Sequence, residues 1–205
     1  MKAEHLEVLV EEPSMEAFLI ELLPRLLDGQ ATFTIHTYQG KSDLIGKLGS
    51  RLRGYAKWLP NVVRIVVLLD RDDDDCIALK QRIEQIAEAA GLLTRTAAGG
   101  RRWQVVNRLA IEELEAWFFG EWSAVRGAYP RVSATIPKQA AYREPDAIAG
   151  GTWESLERVL KNSGYFSGGF RKVEAASAIG KHFDPGRAQS CSFVAFRDAL
   201  LEATA

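Results

Sequence analysis

The sequence predicts an α/β fold: an open sheet of about four parallel strands flanked by helices, with a mainly helical C-terminal extension. Three observations predict it. Short apolar runs alternate with segments of helical period over residues 1–120. The run VVRIVVLL at 62–69 is almost unbroken apolar and β-branched sequence, the mark of a central strand buried on both faces. Beyond about residue 120 the alternation stops, and proline- and glycine-punctuated sequence takes over. The expected division is an α/β core at 1–120 and a helical and loop extension at 121–205 packed on it.

Taken in order, LEVLV (6–10) reads as the first strand. A helix follows, with Met15, Phe18, Leu19, Leu22, Leu23 and Leu26 on one stripe; Ser14 is its expected N-cap, and Pro24 should kink or end it. ATFTIHTY (31–38) alternates as a strand should. The next helix places Leu44, Leu48, Leu52 and Tyr55 on one face, with Lys47 and Arg51 four residues apart on another. After the strand at 62–69 comes a helix carrying Cys76, Leu79, Ile83, Ile86, Ala87 and Ala90, closed by Gly91 as its C′ residue. RRWQVVNRL (101–109) reads as the fourth strand and IEELEAWFFG as a helix, with Glu112 and Glu115 on one of its faces. TWESLERVLKNSG and SFVAFRDALLEAT are two further helices, joined by a long linker.

The chain has 205 residues, 47% of them hydrophobic, enough for a sizeable core. Its 26 basic and 27 acidic residues leave a net charge of -1, so any affinity for nucleic acid must come from local clusters. Two cysteines make no disulfide framework, the N-terminus lacks a signal-peptide core, and no segment approaches a membrane span. A cytoplasmic protein with no membrane contact is expected.

Ligands of open parallel sheets bind beyond the carboxyl ends of the strands. Here those ends deliver Glu11 and Glu12 after the first strand, and His36, Gln39 and Lys41 after the second. Asp70 and Asp72 to Asp75 follow the third; Asn107, Glu112, Glu113 and Glu115 follow the fourth. Two carboxylates 4 Å apart repel by about 4 kcal/mol at the effective dielectric of a protein surface. A helix N-terminus returns only about 0.3–1 kcal/mol per charge. A divalent cation resolves that imbalance better. Asp70 and Asp72 can point to one site, while Asp74 and Asp75 read as acids that cap or precede a helix. The plainer alternative is an acidic first turn with no ligand.

Familiar motifs fail. Asp70, Asp72 and Asp74 have the opening spacing of an EF-hand loop, but Asp75 stands where glycine belongs and Gln81 where the bidentate glutamate belongs. GKS at 40–42 resembles a P-loop without its upstream glycine, a position held by Ile35. By contrast, VLVEEPSMEAFL followed by VVLLDRDDDDC resembles the Toprim fold, which has a glutamate after its first strand and Asp-x-Asp after its third. The chain is similar to an uncharacterised Toprim-like bacterial family, a domain of unknown function related to the Toprim domain of overcoming-lysogenization-defect nucleases. Genes of that family often lie beside AAA- or ABC-type ATPases in suspected phage-defence loci. IEELEAWFFG and the terminal SCSF extend the likeness over most of the chain.

The resemblance implies a Mg²⁺- (or Mn²⁺-) dependent nuclease acting on DNA or RNA, with an ATPase as partner. Carried over by position, the metal ligands are Glu11, Asp70 and Asp72, although Glu12 stands where Toprim motifs usually have glycine. Glu11 is also the expected general base, with Lys41 and Glu115 as further catalytic candidates. Basic residues expected to hold a nucleic-acid backbone are Lys47, Arg51, Arg101, Arg102, Arg171 and Lys172, with Tyr55, Trp58, Trp103 and Phe170 near them for stacking. Two other readings remain open: a non-catalytic Toprim-like module that docks to an ATPase, and a phosphoacceptor receiver phosphorylated on Asp70.

Overall fold

A computed structural model describes residues 2–205 of the chain. Its strands are β1 (His5–Val10), β2 (Thr32–Thr37), β3 (Val63–Asp70) and β4 (Val105–Ala110). They form one sheet in the order β2-β1-β3-β4, with every neighbouring pair parallel. All eight residues of β3 are buried, its apolar run as expected of a central strand and Arg64 and Asp70 with it.

From β1 the chain moves outward to β2, then returns past β1 to β3 and on to β4. Right-handed crossovers in these opposite directions put α1 (Pro13–Leu27) on one face of the sheet and α2 (Lys41–Ala56) and α3 (Cys76–Ala89) on the other. Strand alternation then builds two cores. Leu6, Val8, Val66 and Leu68 pack with Phe18 and Leu22 of α1. Leu9, Ile65, Val67 and Leu69 pack with Leu44 and Leu48 of α2 and Ile83 of α3.

A short helix α4 (Arg95–Ala98) precedes β4. After β4 come α5 (Leu114–Gly120), α6 (Trp122–Ala128), α7 (Thr152–Asn162), α8 (Lys172–Gly180) and α9 (Cys191–Thr204). α8 lies against α1, and Gly180 permits the approach: a Cβ there would sit 3.2 Å from the Phe18 carbonyl oxygen. Arg25 of α1 donates to the carbonyls of Gly180 and Phe183, supplying acceptors at the C-terminus of α8 with partners. α9 runs beside β4, where the Arg108 Nε donates to the Ala195 carbonyl at 2.9 Å. Edge-to-face contacts join Phe18 to Phe183 and Trp117 to Phe193 at 5.1 Å, so α1, α5, α9 and the segment that follows α8 share one aromatic core.

Several expectations are corrected. α1 continues through Pro24 to Leu27; the carbonyl that loses its donor belongs to Ile20, a half-exposed residue on the outer side of the helix. Its N-cap is Glu12 rather than Ser14; Pro13 takes the first helical position, and the Ser14 hydroxyl donates back to Glu12. β4 begins at Val105 rather than 101, since Trp103 turns inward and its Nε1 donates to Glu202 at 2.8 Å. Glu112 lies before α5 and pairs with Arg71, so it shares no helix face with Glu115. The long linker contains α8. Among the described residues no helix is long and apolar enough to cross a membrane.

Candidate active site

β1 and β3 are neighbours from which the chain departs in opposite directions, so the switch point of the sheet lies between their carboxyl ends. Glu11 follows β1 directly, and its Oε2 accepts from the backbone N–H of Asp70, the last residue of β3, at 3.1 Å. Asp70 is 4% exposed, and its Oδ1 has no hydrogen-bond partner. Glu115, in the first turn of α5, is 2% exposed, and its Oε2 is likewise unpartnered.

Burial sets the electrostatics. It pushes Asp70 well above the usual carboxylate range, and the charges of Glu115, Glu11, Glu12 and Asp72 push it further. Burial raises Glu11 to about 7 against the opposing hydrogen bond from the Asp70 N–H; the neighbouring Asp72 adds to the rise. Glu115 is raised to about 7, again by burial, against the pull of Lys172.

Two lysines answer these acids. Lys41, at the start of α2, places its Nζ 2.7 Å from both Asp72 and Asp74 and 2.9 Å from the Arg71 carbonyl. Burial lowers its pKa, but Asp72 and Asp74 outweigh that and hold it above the usual value. Lys172, at the start of α8, lies 3.7 Å from Glu12 and 4.0 Å from Glu115, with its ammonium over the Trp153 ring. Glu11, Glu12, Asp70, Asp72 and Glu115 thus face two ammonium groups, a surplus of negative charge.

Every donor gathered here is an oxygen, the kind that hard divalent cations prefer. Among the described residues, no three His, Cys, Asp or Glu side chains are already placed together as metal ligands. Asp72, at a backbone φ of +49°, is engaged by Lys41 instead. Beside Asp72 opens a cavity of about 310 Å³ lined by Asp73, Glu112, Glu113, Gly151 and Glu154. A larger cavity of about 620 Å³ lies away from these acids, between α3 and α4.

The sheet end therefore brings together Glu11, Asp70, Asp72, Glu115, Lys41 and Lys172. Asp75 caps α3 by accepting from the Ala78 N–H at 2.7 Å, whereas Asp74 reaches across to Lys41. The remaining basic candidates are scattered. Lys47 pairs with Asp43 on α2, and Arg51 bonds His36 on the edge strand. Arg101 bonds the Ala98 carbonyl, and Arg102 bonds Asn61, which precedes β3, so both lie at the opposite end of the sheet. Arg171 pairs with Glu174 beside Lys172. Sequence reasoning placed Lys172 with the phosphate-contacting residues rather than among the carboxylates. No local signal marks its partners, because Glu12 and Glu115 are far from it in the chain.

The architecture expected from the sequence, an open parallel sheet of about four strands flanked by helices, is the one the chain adopts. A family model described as "Domain of unknown function (DUF4276)" matches residues 10–201, and the chain belongs to that family. Among solved structures, the C-terminal region of the Burkholderia pseudomallei OLD protein is similar in fold, with a TM-score of 0.53 and 17% identity over 100% of both chains. No curated protein matches the chain.

Proposed function

We propose that this chain is a nuclease, hydrolysing phosphodiester bonds of DNA or RNA with Mg²⁺ or Mn²⁺ at the carboxylates that follow β1 and β3. The supporting observation is Asp70: a buried carboxylate with an unpartnered oxygen, set among four other carboxylates. A group so placed is poorly solvated and uncompensated until a cation arrives. Asp70, Glu11 and Asp72 would hold the ion, with Asp72 released from Lys41 as it enters.

The ion would supply charge to the phosphate oxygens and acidify a bound water. Glu11, where it does not ligate the ion, is the carboxylate proposed to take the proton of the attacking water as general base. Lys41 and Lys172 flank the acids from α2 and α8, where ammonium groups offset charge gathering on the phosphoryl oxygens. Arg171 beside Lys172, and Lys47 and Arg51 along α2, are the basic groups proposed to guide the strand. The family resemblance adds an AAA- or ABC-type ATPase as the partner proposed to gate cleavage.

One observation favours a second reading, a non-catalytic module: Lys41 already neutralises Asp72 and Asp74. Plasmid-nicking and RNA-degradation assays with Mg²⁺ or Mn²⁺, with and without an AAA- or ABC-type ATPase as the proposed partner, separate the two. Cleavage by the wild-type chain that falls at least about 100-fold in Asp70→Ala and Glu11→Ala is the expected result. Equal cleavage in both variants overturns the nuclease, and wild-type inactivity under every condition favours the module.

A further inference from the structure

On the α2 side of the sheet, away from the acids, the edge strand carries a second polar site. Glu7 of β1 and His36 of β2 meet Arg51 and Tyr55 of α2, and Trp58 stands just beyond the helix end. The hydrogen bonds form a closed set. The Tyr55 hydroxyl donates to the Glu7 Oε2 at 2.8 Å, and the His36 Nε2 lies 2.5 Å from the same oxygen. The Arg51 guanidinium donates to the His36 Nδ1 at 2.9 Å and to the Tyr55 hydroxyl at 3.2 Å. The same Arg51 nitrogen that meets Nδ1 also lies 3.1 Å from the His36 Nε2. Burial raises the Glu7 pKa, but the bonds from His36 and Tyr55 outweigh it and keep the carboxylate ionised.

Beside this network is a cavity of about 300 Å³, lined by Glu7, His36, Ser50, Arg51, Tyr55 and Trp58. One wall is aromatic: Tyr55 and Trp58 lie 5.5 Å apart, and Trp58 is 59% exposed. The opposite charges of Glu7 and Arg51 make the lining nearly neutral, so a bare phosphate gains little by entering. A flat heterocycle with donors and acceptors on its edge suits it better: a face for Trp58, acceptors for Arg51, donors for Glu7 and Ser50. Arg51 lies ten residues along α2 from Lys41, about 15 Å at helical rise. That is about four nucleotides at the 3.4 Å spacing of a stacked strand.

We propose that this cavity binds a nucleobase, stacked on Trp58 and read at its edge by Glu7 and Arg51. The nuclease reading is needed only to make that base part of a substrate strand whose backbone runs along α2 to the carboxylates.

Binding is measured on the full chain in EDTA, so that no cleavage occurs, by tryptophan quenching and fluorescence anisotropy. The ligands are an eight-nucleotide oligothymidylate, the matching abasic octamer and thymidine monophosphate. Trp103, Trp117 and Trp122 are buried, but Trp153 is partly exposed beside Lys172, so the Trp58 signal is the quenching present in the wild type and absent from Trp58→Phe, and affinities are read from anisotropy. The expected result is quenching by the base-bearing octamer, with affinity lost about 5- to 150-fold in Trp58→Ala and kept within a few-fold in Trp58→Phe. Equal quenching by the monophosphate assigns the pocket to free nucleotides, and quenching by the octamer alone assigns it to strands; both support a nucleobase. Equal affinity of wild-type protein for the base-bearing and abasic octamers overturns the proposal without any variant. Base-dependent binding by a wild-type chain that cleaves neither DNA nor RNA with Mg²⁺ or Mn²⁺ sinks the nuclease reading and leaves the pocket standing.

Discussion

Asp70 ends a wholly buried strand and faces other carboxylates, with one oxygen unpartnered. Replacing its charge with an amide of the same shape removes that repulsion at once. Asp70→Asn is therefore expected to stabilise the metal-free protein by on the order of 1 kcal/mol or more. For a domain of this size that is a rise in Tm of about 2–4 °C, measured by calorimetry in EDTA. Mg²⁺ should raise the Tm of the wild type and leave that of the variant unmoved; an unchanged or lowered Tm for Asp70→Asn in EDTA would refute the account. The acids of this site were legible because Asp70 and Glu11 abut strands whose apolar runs are unmistakable. Residue pairs made across the fold were not. Lys172 meets Glu12 and Glu115 only because α8 packs on α1, and Asp74 serves Lys41 rather than α3.

Among the helices, α7 is held in a way its own sequence does not reveal. Its N-cap, Gly151, has no side chain to offer, and the first turn is satisfied from another loop. The Glu113 Oε2 accepts from the Thr152 and Trp153 N–H groups at 3.0 Å and from the Thr152 hydroxyl at 2.9 Å. A carboxylate at a helix N-terminus also meets the favourable end of the dipole. Glu113→Ala is expected to cost about 2 kcal/mol in denaturant unfolding, while Glu113→Gln, which keeps the acceptor, should recover about half. Equal losses in both would point to charge alone. Helices with a full apolar stripe, α1, α2, α3 and α9, were readable from period. α8 was not, since KVEAASAIG buries mainly alanines and glycine against α1, and small residues leave no strong periodic signal. Pro24 misled for a related reason: the breaking rule assumes that the lost bond matters, yet the carbonyl concerned is that of Ile20, on a half-exposed turn.

At the scale of the whole molecule, the two faces of the sheet differ in what completes them. The face under α2 and α3 is closed by residues before 110. The face under α1 is not, since Phe183, Phe193 and Phe196 complete the cluster around Phe18 and Trp117. Burying one large apolar side chain is worth about 1.5–3 kcal/mol, and a domain's net stability is only about 5–15 kcal/mol. Losing these three rings with α8 and α9 therefore removes a large share of that margin. The same cut removes Lys172, leaving Glu115 without its nearby ammonium. A fragment of residues 1–120 is thus expected to keep far-UV helical signal but to lose near-UV dichroism, bind a hydrophobic dye and melt without a cooperative transition. A sharp calorimetric transition in that fragment would show that the sheet and its first helices fold alone. The acids after β1 and β3 would then be held without help from the second half of the chain, a conclusion opposite to the one the shared aromatic core supports.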